Sequence, residues 1–209
     1  MSAVEELATT KRMLMKLPNI SMEEIQDISE QSIATAKLTV IATNETVQAV
    51  TELSTSIAQN LLNLLPEKLP LDNLRTDIQI LSSQLDRNFQ KQNHMLNEMI
   101  AFNLQGSNDK RQWQVLQQNF DNYSNQIDEI IRGRDSKYAE LNAAMKDLFS
   151  KCLKATISLS DLEIKAIASV RKELEMPFDE SNYRQIISEA NSKMEASFGK
   201  FLNEVPESD

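Results

Sequence analysis

The sequence predicts an all-α fold, an elongated up-and-down antiparallel helical bundle of about four to six helices with coiled-coil-like heptad packing. Three observations carry that expectation. Glycine occurs only three times in 209 residues, where average usage of about 7% would give roughly fifteen. Aromatic residues make up 5% of the chain, too few to populate strands that favour aromatic and β-branched side chains. Apolar residues recur at alternating steps of three and four between widely spaced breakers, the spacing of helices that pack along a seam. A glycine-rich nucleotide loop cannot be built from this inventory.

The elements follow in order. A first helix is expected over about residues 2–17, with Ala3, Leu7, Leu14 and Leu17 on one stripe and Pro18-Asn19 as its stop. Ser21 and Glu24 form a capping box for a second helix running to Leu65. Its stripe includes Ile33, Ala36, Val40, Thr43, Val47, Val50, Ser54, Ile57, Leu61 and Leu64. Pro66 to Pro70 reads as a turn. A third helix then carries Leu71, Leu74, Ile78, Leu81, Leu85, Asn88, Gln92, Met95, Met99 and Phe102. Asn88 and Gln92 interrupt that apolar stripe, where they fix register at a cost in stability or mark a change of partner.

Gly106 followed by Asp109 reads as a helix end and a new N-cap, while the heptad spacing runs on from Phe102 by way of Gly106 and Asp109 to Trp113 and also fits a continuous helix. The fourth segment presents Trp113, Leu116, Phe120, Tyr123, Ile127 and Ile130. A one-residue slip follows at Gly133 and Asp135, and the stripe resumes at Tyr138, Leu141, Met145, Leu148, Cys152, Ala155, Leu159, Leu162 and Ala166. The slip fits either a break or a rewound continuous helix. Pro177 ends this segment, and Asp179 caps a last helix to about residue 203, with 204–209 as a short acidic tail. Residues 1–209 are expected to form a single domain.

Charge narrows the partners. The net charge is -9, from 22 basic and 31 acidic residues. The acid is spread: 5 basic and 9 acidic residues in 1–70, 7 and 9 in 71–135, 10 and 13 in 136–209. With no basic segment, nucleic acid and anionic membrane surfaces have no electrostatic footprint. The opening 17 residues contain Glu5 and Glu6 and no apolar core region, so no secretory signal is expected. No apolar run approaches the length of a membrane-spanning helix. The single cysteine fits a reducing compartment, and a cytoplasmic location is expected, with export by a signal-independent route left open.

Residues able to carry chemistry are few. His94 is the only histidine and Cys152 the only cysteine, so neither a hydrolytic triad nor a zinc site is expected. His94 reads as a solvated residue beside Glu98, and Cys152 as a buried structural thiol. Glu23, Glu24, Asp27 and Glu30 cluster at one helix start, where acid complements the helix dipole. They lack the Glu-x-x-His pairs of a di-iron bundle. Trp113, Phe120 and Tyr123 read as core packing, because stacking on bases would need more basic neighbours. Residues 79–126 hold ten Gln and eight Asn in 48 positions, an uncharged solvated face that is also suited to docking.

Residues 38–65 are the most informative stretch, with Glu45 and Glu52 as their only charges. A helix so uncharged is central to a bundle, covered by a partner, or released into a membrane. No catalytic, cofactor-binding or metal-binding residues and no small-molecule substrate are expected. The functional expectation is a non-catalytic interaction protein (scaffold, adaptor, chaperone or inhibitor) that meets another protein or itself through helix packing. The alternative is a membrane-active helical protein, such as a component of a multi-subunit α-helical pore-forming toxin, with conditional membrane contact through residues 38–65.

Overall fold

The computed structural model describes residues 11–20 and 42–204. The fold is an all-α helical bundle, and no strand occurs among the described residues. Residues 11–16 are helical and end in the turn at Pro18-Asn19. Four helices follow: α1 (Asn44–Leu104), α2 (Lys110–Ser158), α3 (Ser160–Glu173) and α4 (Glu180–Glu204). The capping box at Ser21 and Glu24, the acidic cluster at 23–30, stripe residues Ala3, Leu7, Ile33, Ala36 and Val40, and the tail beyond Glu204 lie outside the described residues.

The expected unbroken helix to Leu65 is corrected at its middle. The chain bends at Ala42, and Thr43 is the N-cap of α1 rather than a seam residue. Its hydroxyl accepts from the Thr46 N–H at 3.5 Å, and its carbonyl accepts from the Val47 N–H at 2.9 Å. The reason is tertiary: the Thr43 N–H donates to the Glu173 carboxylate at 2.7 Å. Hydrogen bonds from Thr46 and from the Thr43 backbone and hydroxyl hold the Glu173 pKa below its ordinary value.

The expected turn at Pro66–Pro70 is also corrected, because α1 runs through both prolines. The sequence carries the explanation. Val50, Ile57, Leu64, Leu71, Ile78 and Leu85 are all buried and stand seven residues apart. Lys68 fills the intermediate seam position between Leu64 and Leu71 and is 0% exposed. Each proline removes one backbone donor, so the carbonyls of Leu62 and Pro66 lose their intrahelical bonds. Leu62, Pro66 and Pro70 lie on the exposed face, where water can serve those carbonyls.

Contacts divide the chain into two compact units, residues 71–143 and residues 1–70 with 144–209. The first is a two-helix hairpin. Its partners run antiparallel: Asp77 lies 3.9 Å from Lys137, Gln92 bonds Ser124 at 2.7 Å, and the Phe102 and Trp113 rings stand 5.6 Å apart. Gly106 makes the turn in the left-handed region, φ +64°, as glycine there should. The Asp109 carboxylate accepts from the N–H groups of Arg111 and Gln112 at 2.9 and 3.1 Å, capping α2. Every expected seam residue from Leu71 to Phe102 is buried or half-buried.

Helix α2 passes through Gly133 without a break, which settles the slip. Half-buried Arg134 and Lys137 hold the positions between Ile130 and Leu141, so the steps of three and four continue. Tyr138, expected in the seam, is 45% exposed. Long basic side chains bury their aliphatic stems while their heads reach outward, so a pattern of apolar letters misses them.

In the second unit α1 pairs antiparallel with α3 and the end of α2. Glu45, Glu52 and Glu67 bond Lys172, Lys165 and Lys151 at 2.8, 2.6 and 2.8 Å. The Thr46 hydroxyl donates to the Ser169 carbonyl at 3.3 Å. Helix α4 returns along α3: Arg184 pairs with Asp161, and the Asn191 amide donates to the Ser160 hydroxyl at 2.9 Å. Lys11 pairs with Glu163, and Leu14 and Leu17 are fully buried. Leu148, Cys152, Leu159 and Ile164 complete this core.

Candidate functional site

Of the residues weighed for chemistry, His94, Cys152, Trp113, Phe120 and Tyr123 lie among the described residues. His94 is exposed, and its Nε2 lies 3.2 Å from Glu98 one turn along α1. Cys152 is buried, and burial pushes its thiol up to about 11. A neutral thiol with no approach for a reactant is a packing residue. Trp113, Phe120 and Tyr123 are half-buried on the hairpin seam, with the Lys91 ammonium 5.8 Å from the centre of the Tyr123 ring. Among the described residues, no three His, Cys, Asp or Glu side chains gather as a metal site would require.

The amide-rich stretch lines a shallow cleft of about 380 Å³ on the hairpin, where Gln84, Asn88 and Gln126 stand beside Arg87, Lys91 and Glu129. Its charges are mixed and its walls open.

Exposed apolar residues are spread along the hairpin at Ile80, Phe89, Leu96, Ile100, Leu104 and Val115, and occur at two further sites in the other unit. One site lies where α3 hands over to α4. Helix α3 ends at Glu173, four residues before Pro177. Glu175 then adopts φ 54°, and the Met176 N–H donates back to the Arg171 carbonyl at 2.9 Å. This left-handed ending is the closure that glycine usually supplies. It throws Leu174 and Met176 outward, 62% and 49% exposed. Asp179 caps α4 through the Asn182 N–H at 3.0 Å, as expected from the sequence.

Between these helices runs an apolar groove of about 510 Å³, walled by Ile167, Val170, Tyr183 and Ile186 and rimmed by Leu174 and Met176. Its shape is held by polar contacts at one end. The Arg171 guanidinium donates to the Pro177 carbonyl at 3.1 Å and lies 5.5 Å from the Phe178 ring centre. Phe178 in turn meets Tyr183 at 5.4 Å. Burial, and then the Glu163 carboxylate, raise the Tyr183 pKa, so the phenol stays neutral at physiological pH. The sequence offered one signal, the apolar residues Leu174, Met176 and Phe178 crowded around a helix-ending proline.

The second apolar surface is the outer face of α1. Residues 44–65 are neither wholly buried nor wholly free. Ala49, Val50, Leu53 and Ile57 face inward. The opposite face holds Thr51, Thr55 and Ala58, then Leu62 at 65% and Leu69 at 54% exposure. No helix among the described residues is long and apolar enough to cross a membrane.

Comparison with family models, with curated proteins and with solved structures found no match.

Proposed function

We propose that this is a non-catalytic helical-bundle interaction protein, of the scaffold, adaptor, chaperone or inhibitor kind, that works through helix faces. The observation that supports this most directly is the groove between α3 and α4. It is open, apolar and pre-shaped by the Arg171–Phe178–Tyr183 contacts. Such a groove suits one face of an amphipathic helix, whose anchors recur at three, four and seven residues. The even acidic charge argues for a protein partner over nucleic acid. A reducing, cytoplasmic setting fits a chain with one deeply buried cysteine.

A photo-crosslinking residue in place of Met176, in cells that normally make the protein, tests the reading. A discrete protein adduct that disappears on Ile186→Glu supports it. Absence of any adduct, or turnover of a metabolite by the purified chain, overturns it.

The second reading, a membrane-active component of a multi-subunit pore former, draws on the uncharged outer face of α1. Dye release from liposomes, with the chain alone and with the products of neighbouring genes, is its test.

A further inference from the structure

We infer that the outer face of α1 between Thr51 and Leu69 is a self-association surface, on which a second copy of this chain packs antiparallel. The inference shares with the functional reading the premise that helix faces do the work, but it rests on different residues.

The face is built like a second seam. Thr51, Thr55, Ala58, Leu62, Leu65 and Leu69 follow one another at steps of four and three, the spacing that keeps side chains on one side of a packed helix. Inward-facing residues of α1 already form the first seam; of this second one, Thr51, Thr55, Ala58, Leu62 and Leu69 are exposed and Leu65 is half-buried. Its two halves differ in size. Toward the N-terminus stand small side chains, and Thr51 and Thr55 form one wall of an open cleft of about 590 Å³ whose far side is Leu162. Toward the C-terminus stand leucines, two of them more than half exposed.

These halves complement each other under a twofold axis. Turned antiparallel, a second copy sets Leu69 against Thr51, Leu65 against Thr55 and Leu62 against Ala58, and repeats all three contacts on the other side of the axis. Large side chains then meet small ones at every layer, and the leucines project toward the cleft beside Thr51 and Thr55. A parallel arrangement would stack leucine on leucine and leave the cleft open. An isologous contact of this kind closes at two copies.

Electrostatics permit the approach. A chain of net charge -9 repels itself. Yet Glu52 and Glu67, the acids between Thr51 and Leu69, are each paired with a lysine of the same chain. The size is also adequate. A face of this length spans roughly 27 Å of helix. Two such faces remove on the order of 1,000 Å² from water, the lower end for a specific contact.

The test is the mass of the full chain in solution from about 1 to about 100 μM. The expected result is a rise from 23.8 kDa toward twice that value. Leu62→Glu with Leu69→Glu, both at exposed positions, should weaken dimerisation at least about tenfold while helicity is unchanged. Leu104→Glu, at an exposed site far along the sequence, should leave it intact. Mixed chains carrying Ala58→Cys or Leu62→Cys should oxidise to the hetero-disulfide, and the buried Cys152 does not compete. A monomer at the highest concentration overturns the inference, as does a dimer indifferent to the glutamates or a preference for homo-disulfides. Binding of the monomer to phosphatidylglycerol vesicles that the same glutamates abolish also overturns it, and assigns the face to lipid. The crosslink from Met176 reports on the groove alone, so either idea can fail without the other.

Discussion

Gln92 of α1 and Ser124 of α2 are joined across the hairpin seam: the Gln92 amide donates to the Ser124 hydroxyl at 2.7 Å, and that hydroxyl donates to the Phe120 carbonyl at 3.1 Å. A polar residue at a seam position selects one register, because any other leaves it facing apolar side chains. Sliding α2 by one turn would strand the amide. The expected coupling between Gln92→Leu and Ser124→Ala in a double-mutant cycle is about 0.5–1.5 kcal/mol. Urea unfolding measures it, and additive effects of the two substitutions would show that register is set elsewhere.

How much could be read from the letters depended on whether the deciding contact was local. The hairpin turn was legible as the favoured of two readings, because Gly106 and Asp109 carry their own backbone chemistry within four residues while the heptad spacing runs on through them. The seam from Leu71 to Phe102 was legible for the same reason. Its continuation through Lys68 and through Arg134 and Lys137 was not, although the spacing persisted, because charged letters hide buried stems. The cap at Thr43 depends on Glu173, 130 positions away, and no local pattern announces such a pair. The groove was not read from the sequence. Leu174, Met176 and Phe178 stand out in the sequence, but their exposure depends on how α4 packs against α3.

The continuity of α1 through its prolines makes a signed prediction. Pro66→Ala restores an N–H to the Leu62 carbonyl and removes a ring that crowds the preceding turn. An interior proline costs a helix about 3 kcal/mol, partly offset by the stiffness proline gives the unfolded chain. The expected gain in stability is about 1–2 kcal/mol, read from the urea midpoint. A turn at this site would give no gain, or a loss.

The middle of α2 makes another. Gly133 lies in a helix interior, and a Cβ added there meets nothing within 4 Å. Gly133→Ala should therefore stabilise by about 0.5–1 kcal/mol. Beside it, the Arg134 Nε is buried without a hydrogen-bond partner. Arg134→Leu keeps the stem and removes the unsatisfied donor, for a further gain of about 1 kcal/mol. Tyr138→Ser, on the exposed side, should stay within about 0.5 kcal/mol of the parent. If thermal melts instead showed a loss at Tyr138 and none at Arg134, the seam assignment here would be wrong.

Cys152 ties the core to alkaline pH. Its thiol ordinarily ionises near 9 and is held at about 11 by burial in the fold. Between those values the unfolded chain has lost its proton and the folded chain keeps it, so the unfolded state binds fewer protons and stability falls as pH rises. The contribution is fully present below pH 9 and is lost through pH 11, on the order of 2 kcal/mol in all. Cys152→Ala leaves a small cavity but removes the titration. The difference in unfolding free energy between parent and variant should therefore shrink from pH 8 to pH 11 by that amount. A thiol reagent at pH 8 should label the native chain only as fast as it opens, with a rate that climbs steeply in urea. Rapid labelling without denaturant, or a difference that does not change with pH, would mean that Cys152 meets solvent in the folded protein.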